Sequence, residues 1–205
     1  MPSASDERQI STPRNGNEDM GGSLPLLDRL REASTTLIVA RASFDIWWLY
    51  AGSQTRPKFI AGMNEYSEFF RFDEEAHFRV AVVGLYTLFD GRSDTVTLKS
   101  LIDKVELAGN DVVQIRARLS ALDVKIAAIK VLRHKLFAHR DHKLAYNTVY
   151  ELAKVRPDDL RMLTDESLSI LNDLAALLSF RSFEFRDYVA EDALELLKKI
   201  QPGNQ

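Results

Sequence analysis

An all-α bundle of four or five helices is the fold class this sequence predicts, and three observations predict it. Apolar residues recur at steps of three and four over long stretches, the period of a helix with one buried face. No segment shows the strict alternation of a half-buried strand, and no internal repeat is present. Helix-stopping pairs such as Gly52-Ser53, Asp90-Gly91 and Gly109-Asn110 fall between the periodic stretches.

Residues 1–23 are rich in Ser, Asn, Gly, Pro and scattered charge without apolar periodicity, which predicts a disordered N-terminal tail. A single helical domain is expected over 24–200, followed by a short tail, 201–205. The first helix runs from Leu24 to Ala51-Gly52, where Gly52, Ser53 and Pro57 end it. Its aromatic finish, Phe44 to Tyr50, contains Trp47-Trp48; core packing is the reading for that pair, and base stacking is the functional alternative. A second long helix is expected from about Phe59 to Phe89. After a polar loop, Thr95 or Thr97 can cap a short helix that reaches Leu107. Asp111 with Gln114 resembles a capping box that opens the next helix. Pro157-Asp158-Asp159 reads as a turn, and a last helical region spans about Asp165 to Ile200.

Length and composition narrow the class. A chain of 205 residues suits one domain and can bury a sizeable core. A net charge of −3 gives no overall attraction for polyanions, so a nucleic-acid site has to be local. The absence of cysteine excludes disulfides, thiolate catalysis and Cys-type zinc sites. The first residues, MPSASDERQI, carry no apolar signal-peptide region. The best candidate for a membrane span, near Leu168–Phe180, is interrupted by Asn172 and Asp173. The expectation is a soluble, cytoplasmic protein with no membrane association.

The helix after Asp111 carries the most informative register. Ile115, Leu119, Leu122, Ile126, Ile129, Arg133 and Leu136 form one stripe with steps of four and three. Ala117, Ala121, Val124, Ala128 and Val131 form a second stripe on roughly the opposite face. A helix apolar on both sides is sandwiched, here between the core and a second neighbour, another helix or a second subunit. Arg133 interrupts the large-residue stripe. A guanidinium stays charged, so on a buried face it needs an anion partner or a cavity. An internal salt bridge is the plainer reading. An arginine awaiting a phosphate accounts better for the position, because a buried ion pair is often no more stable than an apolar pair.

Three of the four histidines lie in Lys130–Lys143: His134 directly after Arg133, His139 six positions beyond it, and His142. Between 116 and 143 there are eight Arg or Lys against two acids, Asp123 and Asp141. Lys130, Lys135, Arg140 and Lys143 would draw RNA to this end of the helix. Imidazole can take or give a proton near neutral pH. Arginine and histidine together suffice for metal-free RNA cleavage, the histidine moving the proton and the arginine stabilising charge on the phosphorus oxygens.

Other patterns in the chain lead elsewhere. Glu74-x-x-His77 matches half of a di-iron bundle motif, but the second copy such a site needs is absent. His134, His139 and His142 lack a supporting carboxylate for a metal, and no metal or other cofactor is expected. His139-Arg140-Asp141 copies a kinase triplet, yet Asn147 falls one position late and no glycine-rich loop accompanies it.

Arg133-His134-x4-His139 resembles the arginine–polar–spacer–histidine motif of the HEPN superfamily, in which four to six residues separate arginine from histidine; here there are five. Leu85-Tyr86-Thr87-Leu88-Phe89-Asp90, followed by a polar loop, a short helix and Leu132 to Asp141, resembles its AbiU-type abortive-infection branch over about residues 40–145. The resemblance implies a HEPN-like helical bundle that commonly dimerises around a shared cleft. It also implies a metal-independent endoribonuclease acting as a toxin or in phage defence, with Arg133 and His139 catalytic and His134 shaping the site. RNA, a second copy of the chain and an antitoxin or other defence-system protein are the implied partners. The alternative is a non-catalytic module that binds nucleotide, RNA or a partner protein. In one toxin subgroup a tyrosine two residues after the histidine is modified by a partner enzyme; Asp141 stands there, so that silencing route is not implied. Six residues of ideal helix leave Arg133 and His139 about 120° apart. Either the helix loosens near Phe137-Ala138 or two chains compose the site, and the small-residue face favours the second.

Overall fold

The computed structural model describes residues 25–92, 95–135 and 154–202, and all regular structure in them is helical. The described residues form eight helices: α1 (Leu26–Ala51), α2 (Arg56–Glu65), α3 (Ser67–Leu88), α4 (Leu98–Leu107), α5 (Val113–Ala121), α6 (Asp123–Arg133), α7 (Pro157–Leu177) and α8 (Tyr188–Lys199). The all-α class therefore holds, with more and shorter helices than the periodicity predicts. The predicted tail over 1–23 lies outside the described residues.

The central element is α1, about 39 Å long at 1.5 Å per residue. It packs most extensively on α3 and also meets α2, α4, α7 and α8. Leu30, Leu37 and Phe44 of α1, Phe78, Val82 and Leu85 of α3, and Leu160, Leu171 and Leu174 of α7 share the main core. Where α1 and α3 come closest there is no room for a side chain on Gly84, since a Cβ there would sit 2.9 Å from that of Ala40. Tyr50, Phe59, Met63, Phe70 and Leu197 form a second, smaller core beneath α2 and α8.

Arg41 lies on the buried face of α1, in step with Leu37 and Phe44. Its guanidinium donates to Asp45 (2.7 Å), Thr164 (3.1 Å) and Asp165, and lies 4.6 Å from the Phe185 ring centroid. Arg161 donates to the other Asp45 oxygen at 3.0 Å. Burial pushes the Asp45 carboxyl above its ordinary range even with both arginines opposing it. This network ties α1 to α7 through the core wall.

Three predicted long helices are broken. The Phe59–Phe89 segment bends at Tyr66, where the backbone leaves helical geometry (φ −123°, ψ 42°). The break lets α2 fold back on α1 and α8, and it aims Phe70 at Tyr50, with ring centroids 5.4 Å apart. Pro57 sits in the first turn of α2, so it opens that helix and Gly52 alone ends α1. The helix after Asp111 is divided at Leu122 into α5 and α6, and the Asp111 carboxylate accepts from Val113 N–H at 3.0 Å in place of the expected capping box with Gln114. The last region starts earlier, at Pro157, which suits the first helical turn because proline has no N–H to leave unpaired. It then breaks after Leu177, where Ser179 takes a positive φ of 53° and Asn172 clamps the returning backbone of Phe183 from both sides (3.1 and 2.7 Å). The Thr97 cap on α4 is present as expected, with Thr97 and Ser100 bonded reciprocally at 3.1 and 3.0 Å. Gln201, in the predicted C-terminal tail, donates to the Phe59 carbonyl at 3.2 Å.

Candidate functional site at the ends of α3 and α6

The C-terminal ends of α3 and α6 meet at Tyr86. The Arg133 guanidinium carbon lies 4.9 Å from the Tyr86 ring centroid, a cation–π contact. The His134 ring stands edge-on to the same tyrosine, with centroids 6.3 Å apart and planes at 77°. One aromatic ring thus positions both described members of the motif.

Arg133 is not buried as the stripe predicts; it is half-buried, and Leu132 is fully buried in its place. The buried positions of α6 are Ile126, Ile129 and Leu132. Each step of three falls about 60° short of a full turn, so the core-facing line drifts around the helix and leaves Arg133 on its edge. Among the described residues no carboxylate forms an ion pair with Arg133, Lys130 or Lys135. His134 and Lys135 are exposed and continue from α6 in a π-helical turn. The helix therefore loosens directly after the arginine; Phe137-Ala138, where one of the two alternatives places a loosening, lies outside the described residues. Such π turns recur at functional sites. The predicted site residues His139, Arg140 and Lys143 lie outside the described residues, as do His142 and Asp141.

The excess of positive charge along this part of the chain is smaller than its sequence implies. Arg116 is held by Asp103 and Glu106, both at 2.8 Å, and Arg118 by Asp173 (2.5 Å) and Glu166 (3.1 Å). Lys125 pairs with Asp159, whose carboxyl is held below its ordinary range first by that lysine and then by Arg156 N–H. These three cations join helices. Between 116 and 135 what remains without an ion pair among the described residues is the α6 end: Lys130, Arg133 and Lys135.

The small-residue face of α5 and α6 is uncovered. Ala117, Ala121, Val124 and Val131 are exposed, Val124 to 83%. Among the described residues the sandwiching that the register predicts is met on one side only. Elsewhere, Glu74 accepts from Arg56 at 3.1 Å and His77 lies 3.6 Å from Asp73, so each half of Glu74-x-x-His77 has a protein partner. No group of three metal-ligating side chains occurs among the described residues.

The sequence model of AbiU2, in the HEPN group, matches residues 23–197. The chain belongs to the AbiU2 family of HEPN domains. That assignment runs from the start of α1 into the last turn of α8 and extends well beyond the 40–145 segment that carries the sequence resemblance. It places the protein among HEPN-type modules of abortive infection. No curated protein and no solved structure matches the chain. No helix among the described residues is long and apolar enough to cross a membrane.

Tyr86 is the site residue that sequence reasoning missed. It falls inside the Leu85–Asp90 segment that carries the AbiU-type resemblance, but an aromatic residue within an apolar helix end reads as core. Only the α3–α6 contact shows that its ring holds a cation.

Proposed function

We propose that this HEPN domain is a metal-independent endoribonuclease acting in phage defence or as a toxin, in the cytoplasm. The observation that carries the reading is the Arg133 guanidinium, laid on Tyr86 with no carboxylate partner among the described residues, beside Lys130, His134 and Lys135. A structural arginine would have its anion already. One without an anion can receive a phosphate.

In the proposed reaction the RNA 2′-oxygen attacks the adjacent phosphorus and the bond to the 5′-oxygen breaks, leaving a 2′,3′-cyclic phosphate and a 5′-hydroxyl. His139 takes the 2′-hydroxyl proton or delivers one to the departing oxygen. Arg133 stabilises the charge gathering on the non-bridging oxygens. His134, fixed against Tyr86, shapes the pocket, and Lys130, Lys135, Arg140 and Lys143 attract the strand. The working form is a homodimer joined through the uncovered Ala117–Val131 face, which would bury Val124 and bring two motifs together. An antitoxin or other defence-system protein restrains it.

The deciding assay is cleavage of RNA in EDTA by wild type beside Arg133→Ala and His139→Ala. Wild type cleaves and both variants lose activity. Cleavage that survives His139→Ala removes that residue from the mechanism. Phosphate-dependent RNA binding without strand scission by wild type leaves the non-catalytic binding module.

A further inference from the structure

A second feature of the bundle is built for a ligand. A cavity of about 850 Å³ opens between the end of α1, the first half of α3 and the residues leading into α7, a volume typical of small-molecule sites. Trp47, Trp48 and Phe78 line its apolar side. Trp47 is nearly buried and packs on Phe78, centroids 4.9 Å apart. Trp48 is partly exposed, and its ring is held nearly parallel to Phe44, 6° between planes. The alternatives open for the Trp pair thus divide between the two rings: Trp47 is core, and Trp48 is a cavity wall.

The polar side carries an uncommitted positive charge. Both lining acids are engaged, Glu74 by Arg56 at 3.1 Å and Glu75 by Arg79 at 2.9 Å. Arg56 is fixed further by the Tyr50 carbonyl at 2.9 Å. Two cations remain. Among the described residues Arg71 pairs with Glu68 alone, one turn away, with side chains 77% and 81% exposed, and such pairs contribute little. Arg156 is exposed and forms no salt bridge within 4.0 Å among the described residues; its charge also acts on Asp159, which Lys125 already holds. The two arginines approach the cavity from different elements, α3 and the lead-in to α7.

An oriented indole beside two available guanidiniums suits a planar ring that carries an anion. We propose that this cavity binds a nucleotide unit, its base against Trp48 and its phosphate between Arg71 and Arg156. The unit is either a free mononucleotide or one residue of an RNA strand. The second source rests on the proposed ribonuclease function. Phe78, which lines the cavity, and Tyr86, which holds Arg133, are eight residues apart on α3, about 12 Å along its axis.

The two tryptophans of the chain both line this cavity, so their fluorescence reports its occupancy. The full-length protein is titrated with adenosine 5′-monophosphate and, separately, with a short uncleavable 2′-O-methyl oligoribonucleotide. A saturable quench is expected. The exposed double variant Arg71→Gln/Arg156→Gln, checked for an unchanged melting temperature, weakens it by about tenfold or more. Arg133→Ala leaves the mononucleotide quench unchanged, which separates this site from the cleavage site whatever the cleavage assay returns. Quenching by the mononucleotide identifies a free-nucleotide site, and quenching by the oligomer alone identifies a substrate subsite. Absence of quenching by both probes, indifference to the double variant, or loss of the mononucleotide quench in Arg133→Ala overturns the proposal.

Discussion

Tyr86→Leu isolates what the tyrosine ring does for Arg133. Leucine keeps an apolar side chain at the end of α3 and removes the π face that the guanidinium covers from 4.9 Å. Arg133 is half-buried, so the contact is worth about 0.5–1 kcal/mol, the lower part of the cation–π range. That energy corresponds to a ~2- to 5-fold loss in the fraction of molecules with the guanidinium in place. If Arg133 acts on the transition state, kcat for RNA cleavage falls by about that factor with little change in KM. Tyr86→Phe keeps the ring and cleaves like wild type. For a domain of this size 1 kcal/mol moves Tm by only about 2–4 °C, so the variant stays folded at assay temperature. The readout is initial cleavage rate in EDTA against substrate concentration for the three proteins. Equal rates for wild type and Tyr86→Leu refute the positioning role. A Phe variant as slow as the Leu variant assigns the effect to the hydroxyl.

Arg41→Ala removes one side of a buried ion network and leaves Asp45 with Arg161 alone, so it costs about 3–5 kcal/mol by thermal or urea melting; Arg31→Ala, from an exposed pair with Asp28, costs less than about 1 kcal/mol. Gly84→Ala forces a Cβ to within 2.9 Å of Ala40 and costs about 1–3 kcal/mol, whereas Gly91→Ala meets nothing within 4 Å and changes stability by less than about 0.5 kcal/mol. The Asp159 carboxyl is more acidic folded than unfolded, so its contribution is complete above its unfolded value near ~3.9 and fades as pH falls through the folded one. Urea midpoints measured from pH 5 downward therefore drop less steeply for Asp159→Asn than for wild type; equal slopes would remove Asp159 from the acid limb.

The helical class, the ends of α1 and α4 and the break at Gly109 were legible because each rests on local chemistry: a stop after Ala51, a reciprocal Thr97–Ser100 cap, a residue at φ +89°. The breaks at Tyr66, Leu122 and Ser179 were not. Tyr66 and Leu122 interrupt apolar periodicity without a glycine or proline to announce it. The bend at Tyr66 lets Phe59 and Met63 of α2 share the smaller core with Phe70 of α3, and the break at Leu122 keeps Ile115 on one side and Ile126 on the other in the main core. Ser179 departs because Asn172, seven residues back on α7, captures the returning strand of backbone, a contact that no spacing announces. At the candidate site the motif draws attention to Arg133 and His134, the register places Arg133 too deep, and Tyr86 belongs to another helix and becomes visible only through packing.

Arg133 gains meaning from comparison with Arg41, because the two pose the same question to a reader of the sequence. Both stand where an apolar stripe calls for a large hydrophobe, Arg41 between Leu37 and Phe44, Arg133 after Ile129. A charge in such a place needs a counter-charge or an opening to solvent or ligand. Arg41 takes the first course: it is 8% exposed and saturated by Asp45, Asp165 and Thr164, which makes it a structural tie between α1 and α7. Arg133 takes the second. Its helix rolls Leu132 into the core, its guanidinium rests on a π face that attracts the charge without neutralising it, and the nearby cations Lys130 and Lys135 are likewise without ion pairs among the described residues. One molecule thus contains its own control for the salt-bridge reading of a stripe arginine: Arg41 satisfies it with Asp45 and Asp165, and among the described residues Arg133 has no counterpart to either.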